Sequence, residues 1–162
     1  MANLKTITAM IESPKGYNQK FDYDPETQRF KLSKILPAGL VFPFDFGMIP
    51  GTKGEDRDPL DIIVLSESGT FPGCLVDCRV IGALQAEQTE RDGQTMRNDR
   101  FIGVPGVSQL FSEVTTLDDL PEVILNQLEH FFRNYNEQAG KAFKVTARLN
   151  AGQAAKLLSD ET

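Results

Sequence analysis

The sequence predicts an α+β domain in which helices pack against the outside of a small β-barrel. Between about residues 21 and 104 the segments are short and punctuated by Gly, Pro and Asp. Helical periodicity appears only late in the chain, and no repeat or linker divides the two regions. At 162 residues the chain fits a single domain, 1–162, able to remove roughly two-thirds of its unfolded surface from water.

Residues 61–65, Asp-Ile-Ile-Val-Leu, form an apolar run of strand length that reads as buried. Over 74–81 the alternation of Val76, Cys78 and Val80 marks a second strand with one apolar face, and 101–104 and 143–148 add further candidates. Arg91-Asp-Gly-Gln94 stands between 84–90 and the strand from Arg100 and carries the Asp-Gly signal of a hairpin, so a loop tip is expected there. Pro121 suits the first position of a helix whose apolar stripe is Val123, Ile124, Leu128, Phe131 and Tyr135. Asn150 caps a shorter helix through Ala154, Ala155 and Leu158, with fraying expected over 159–162.

Net charge is −6 and the basic residues are scattered, which argues against a nucleic-acid partner. Phe42, Phe44 and Phe46 could stack bases, but their period-two spacing fits a core strand equally well. No window approaches the roughly 20 apolar residues of a membrane span. MANLKTITAM lacks a cationic stretch followed by an apolar run, so a cytoplasmic protein with no membrane partner is expected. Cys74 and Cys78 share a strand face and read as small buried hydrophobes; with His130 the only histidine, they fall short of a zinc site or a disulfide framework. An acidic protein can still bind a phosphorylated anion when hard cations stand between its carboxylates and the ligand.

The segment that carries chemistry is Asp56-Arg-Asp-Pro-Leu-Asp61. Two unit charges about 4 Å apart repel by roughly 4 kcal/mol at an effective dielectric near 20, so converging carboxylates need a cation or a raised pKa. A bare Asp-x-Asp is ordinarily a solvated turn. Here Pro59 stiffens the spacing and Asp61 opens a buried strand that anchors it. Arg57 places a cation inside the motif, able to neutralise the triad in part.

Asp-x-Asp-Pro-x-Asp ahead of an aliphatic strand resembles the signature of the family I soluble inorganic pyrophosphatases, here as a divergent bacterial-type member. The resemblance extends upstream through Ile11-Glu-Ser-Pro14, Lys20-Phe-Asp22, Lys34 and Phe42-Pro-Phe-Asp-Phe-Gly-Met-Ile49. Downstream it takes in Phe71-Pro-Gly73, Arg79-Val-Ile-Gly82, Asn98-Asp-Arg100 and His130-Phe-Phe-Arg-Asn-Tyr135, covering about residues 6–158. It implies an OB-like five-stranded β-barrel with flanking helices, magnesium as cofactor with manganese as a substitute, and hydrolysis of pyrophosphate to two phosphates. It also implies a homo-oligomer, a hexamer in the bacterial pattern or a dimer.

Residue roles follow from the resemblance. Asp58 matches the catalytic carboxylate that helps a water lose its proton, and Asp56 and Asp61 match metal ligands. Glu12 and Asp22 match outer-sphere acidic positions, while Lys20, Lys34, Arg100 and Tyr135 match phosphate-binding positions. Asn98 falls where the family carries a metal-coordinating Asp, and Asp92, with Glu90, is the candidate for an acidic pair on the longer hairpin. Other departures are Phe42 and Phe46 for two tyrosines, Lys34 for Arg, Arg100 for Lys, and Asn136 for Lys. These leave as an alternative a weakened protein that binds metal-phosphate ligands without efficient turnover, and larger diphosphates stay open as substrates.

Overall fold

The computed structural model describes residues 4–160. Strands β1 (Thr6–Ser13), β4 (Asp45–Ile49), β5 (Leu60–Val64), β8 (Arg100–Pro105) and β6 (Leu75–Thr89) pair in that order, and β1 pairs again with β6, which closes a ring of five. This is the OB-like arrangement expected, and the closure leaves these strands without a free edge. All pairings in the ring are antiparallel except β5 with β8, which run parallel with Asp61 beside Arg100. Beyond the ring, the far end of β6 pairs with β7 (Thr95–Arg97) and β9 (Ala142–Leu149).

The strands β2 (Gln19–Asp24) and β3 (Arg29–Ile35) form a separate hairpin that has no counterpart among the sequence-based strands. Its residues are half-buried or exposed with no clean alternation, so the period-two signal is missing. In β4 all five residues are buried, and Gly47 lies directly against β1 opposite Ile11. Asp45, fully buried, is satisfied by the Lys15 N–H at 2.8 Å and the Thr70 hydroxyl at 2.6 Å.

Alternation along the strands sorts the apolar residues into two clusters. One draws on every strand of the ring, with Ala9, Ile11, Ile49, Ile62, Val64, Val80 and Phe101, and takes in Ala154 and Leu158 of α2 (Ala151–Asp160). The other sets Ile63, Leu65, Ile81, Leu84 and Ile102 against α1 (Glu122–Gln138). Cys78 is buried in the first cluster and Cys74 packs on it half-buried; desolvation pushes the Cys78 thiol up to about 12, so it stays protonated.

Pro121 is the N-cap of α1 rather than its first helical residue. The buried stripe is Leu125, Leu128, Phe131 and Phe132, and the expected Val123 is 57% exposed, because it lies on the outer face with the exposed Asn126, Gln127 and His130. Asn150 caps α2 as expected: its Oδ1 accepts the Gln153 N–H, and the Gln153 side chain accepts the Asn150 N–H, both at 2.9 Å. The helix holds through Asp160, so of the residues expected to fray only Glu161 and Thr162 lie outside the described residues. No described helix is long and apolar enough to cross a membrane.

Candidate active site

The loop entering β5 is a tight turn that holds two of the three carboxylates at the strand's edge. The Gly54 N–H donates to the Asp58 carbonyl at 2.8 Å, the Arg57 N–H to the Gly54 carbonyl at 3.0 Å, and the Asp58 N–H to Asp56 Oδ1 at 3.0 Å. Arg57 takes φ 71°, a left-handed conformation that costs a non-glycine residue energy. Its side chain is exposed and forms no ion pair with any described residue, so the neutralisation of the triad expected from it is not made. Arg57→Gly is expected to raise stability by roughly 0.5 kcal/mol, the relief of strain exceeding the added chain entropy. An unchanged or lower thermal midpoint would count against strain at this position.

These carboxylates form one wall of a cleft of about 610 Å³. β1 contributes Glu12, β2 Lys20 and Asp22, β3 Lys34, α1 Tyr135, and the start of β8 Arg100. Lys20 Nζ sits 2.5 Å from Asp22 Oδ1, and although burial works to lower its pKa, Tyr135, Asp22 and Glu12 together raise it. Lys34 lies 5.5 Å from the Tyr135 ring centre; burial and the charges of Lys141 and Lys20 lower its pKa. Partial burial and the charge of Asp56 raise the pKa of Asp58. Burial raises that of Tyr135, which keeps its phenol a donor at neutral pH.

Glu12 is a strongly perturbed acid of the cleft. Burial is the main cause, and although the Tyr23 N–H bonded to its carboxylate at 2.8 Å opposes it, Asp22 and Asp61 add to the rise to about 7. The folded value exceeds the ordinary 4.5, so the stability linked to protonated Glu12 is complete below pH 4.5 and lost as pH rises through 7. With chelator present, the native thermal midpoint is expected to fall between pH 5 and 8 by the equivalent of at most about 3 kcal/mol, and Glu12→Gln to remove that share of the slope. Equal slopes in the two proteins would exclude Glu12 as its source.

The far corner is built differently. Arg100 Nη1 donates to Asp61 Oδ2 at 2.5 Å and to Asn98 Oδ1 at 2.6 Å, while Asn98 Nδ2 donates to Gln88 Oε1 at 2.9 Å. Phe46, Phe132 and Phe143 surround the guanidinium with ring centres 5.0 to 5.6 Å away. Phe42 and Phe46 are both buried and stack on each other at 5.9 Å, so they belong to the core rather than to an exposed face for bases.

Of the residues singled out in the sequence, Asp56, Asp58, Asp61, Glu12, Asp22, Asn98, Lys20, Lys34, Arg100 and Tyr135 line this one cleft. Asp92 does not. It sits at the hairpin tip, where its Oδ1 accepts the Gln94 N–H at 2.9 Å beside Gly93 at φ 86°, so it shapes the turn instead. Asp99, in the link between β7 and β8, does not line this cleft; it accepts the Ala86 N–H at 3.0 Å and pairs with Arg97 at 2.8 Å. Glu90 does reach the cleft and pairs with Lys141 at 3.0 Å. Gln88 and Lys141 escaped the sequence reading. Gln88 shares the period-two face of Leu84 and Ala86, a signal that could have found it; Lys141, just past Gly140, offers none.

The donor set suits a hard cation, since it is all oxygen and the repulsion around Asp56, Asp58 and Glu12 is only partly relieved by Lys20 and the Tyr23 N–H. Among the described residues no three such side chains converge closely enough to hold a metal ion as they stand, because Asp22, Asp61 and Glu12 are turned to Lys20, Arg100 and the Tyr23 amide. A carboxylate wall facing Lys20, Lys34 and Arg100 in a cleft of this size defines a class: proteins that handle small, densely charged anions, with cations between acid and ligand.

The comparisons narrow the class. The chain belongs to the inorganic pyrophosphatase family, whose model matches residues 9–162. An inorganic pyrophosphatase of Halalkalibacterium halodurans is 37% identical over 156 residues, covering 96% of this chain and 93% of the relative. One from Saccharolobus solfataricus is 37% identical over 151 residues, covering 91% and 85%. The crystal structure of the Thermus thermophilus inorganic pyrophosphatase superposes with a TM-score of 0.86 at 34% identity, over 95% of this chain and 87% of that one.

Proposed function

We propose that this chain hydrolyses inorganic pyrophosphate to two phosphates, using a divalent cation held beside Asp56 and Asp58. The observation that carries the reading is the opposition, in one cleft, of that carboxylate wall to Lys20, Lys34 and Arg100, on a chain of this family. Magnesium is the cation favoured by an all-oxygen donor set, with manganese as a substitute. When bound, it lowers the pKa of water and neutralises charge on the electrophilic phosphorus.

The protein's own groups supply the rest. Asp58 accepts the proton of the attacking water at a carboxylate oxygen, and its raised proton affinity suits a base. Lys20, Lys34 and Tyr135 bind and orient the phosphoryl oxygens, and Arg100 meets the departing phosphate. Glu12 and Asp22 hold outer-sphere water, with Asp22 also fixing the Lys20 ammonium. Asp56 orders the loop through the Asp58 amide and ligates the cation, while Asn98 aligns Arg100. The chain works as a single domain in a cytoplasmic homo-oligomer, a hexamer or a dimer.

Phosphate release from pyrophosphate, followed while magnesium is titrated in, tests the function. Release that rises with magnesium is expected. No release at any magnesium or manganese concentration from folded protein would overturn it.

A further inference from the structure

Asp61 and Arg100 are neighbours because β5 and β8 run parallel in that register, 39 residues apart in sequence. One guanidinium nitrogen, Nη1, takes Asp61 Oδ2 and Asn98 Oδ1 together, and Gln88 holds the Asn98 amide by its other end. Asp61 Oδ2 and the Asn98 oxygen are therefore both turned to a charge that belongs to the protein, and only Asp61 Oδ1 accepts no described hydrogen bond. Arg100 is 4% exposed and lies among three aromatic rings. To a divalent ion at this corner, the attraction of Asp61 is cancelled by the repulsion of Arg100 at similar range. Meanwhile Arg100 Nε is buried without a partner and Nη2 donates to no described residue, although the side chain lines the cleft. With Nε out of reach, Nη2 is the donor left to a phosphoryl oxygen.

We infer that Arg100 is the resident cation of the Asp61–Asn98 corner, closing it to divalent ions and offering Nη2 to a phosphoryl group. Divalent ions are then confined to the Asp56–Asp58 side, and Asp61 serves as the counterion of Arg100 rather than as a metal ligand. This rests on the reading of the cleft as a diphosphate site.

The test counts bound Mn²⁺ by electron paramagnetic resonance in the native protein, Arg100→Met and Asp61→Asn, and measures pyrophosphate binding calorimetrically in chelator. Arg100→Met is expected to take one more Mn²⁺ per chain than the native protein, and Asp61→Asn to leave the native count unchanged. Chelator-resistant pyrophosphate binding is expected to weaken about tenfold or more in Arg100→Met. Equal counts in native protein and Arg100→Met, or a lost ion in Asp61→Asn, would overturn the inference. So would an anomalous-scattering peak at ligand distance from Asp61 in native crystals soaked with Mn²⁺, a measurement that needs no variant to fold. Failure of the hydrolase reading appears elsewhere, as absence of phosphate release, while ion count and chelator-resistant anion binding still decide the role of Arg100.

Discussion

Asp58→Asn is expected to slow phosphate release from pyrophosphate by roughly 10²- to 10⁴-fold, the range a positioned general base contributes. The thermal midpoint should stay near that of the native protein. Asp58 is exposed, and its only described hydrogen bonds are made by its backbone, the N–H to Asp56 Oδ1 and the carbonyl from the Gly54 N–H. Asparagine keeps that backbone and the shape of the side chain while removing the carboxylate that accepts the proton. Partial burial and Asp56 raise the proton affinity of Asp58, so the variant also relieves repulsion and should not destabilise the loop. Turnover within about threefold of native, in a variant that still binds pyrophosphate, would remove Asp58 from the chemistry.

The second large effect is structural. Gly47→Ala is expected to cost about 3 kcal/mol or more, or to prevent folding, because the added Cβ would lie 2.1 Å from the Met10 carbonyl oxygen and 2.9 Å from Ile11 Cα. Those are backbone atoms of a paired strand and cannot swing aside. Relief requires β1 and β4 to separate, which would disturb Phe46 and Met48 in the wall of the cleft. Urea unfolding checks the cost, with Gly152→Ala as the comparison, since a Cβ there meets only Asn150 Oδ1 at an ordinary 3.5 Å. Equal midpoints for the two variants would show that the strands give way cheaply.

What could be read from the sequence divides along the range of the interactions. The Asp56–Asp61 segment was legible because its chemistry is local: turn, proline and strand are consecutive, and their spacing alone places the carboxylates together. Strands β5 and β6 and the cap at Asn150 were legible for the same reason. Glu12, Lys20 and Tyr135 came only through the family resemblance, since nothing in their own neighbourhoods marks them. The Asp61–Arg100–Asn98–Gln88 corner was not legible as a unit, because a parallel register between distant strands creates it. Asp92 misled for the opposite reason: an acid on a hairpin looks available for a ligand until the turn's own amide claims it. The β2–β3 hairpin stayed hidden because neither of its faces is cleanly buried.

The ring has a consequence for the chain during synthesis. β1 finds one of its two partners only when residues near Asp77 have been made, and the rings that surround Arg100 include Phe132 and Phe143, later still. A nascent chain, or one clipped before α1, carries the whole acidic loop yet lacks two of the three rings that hold its counterion in place. Such a fragment has crowded carboxylates and no settled guanidinium, and the Arg100 corner is complete only once the C-terminal third of the molecule has been made.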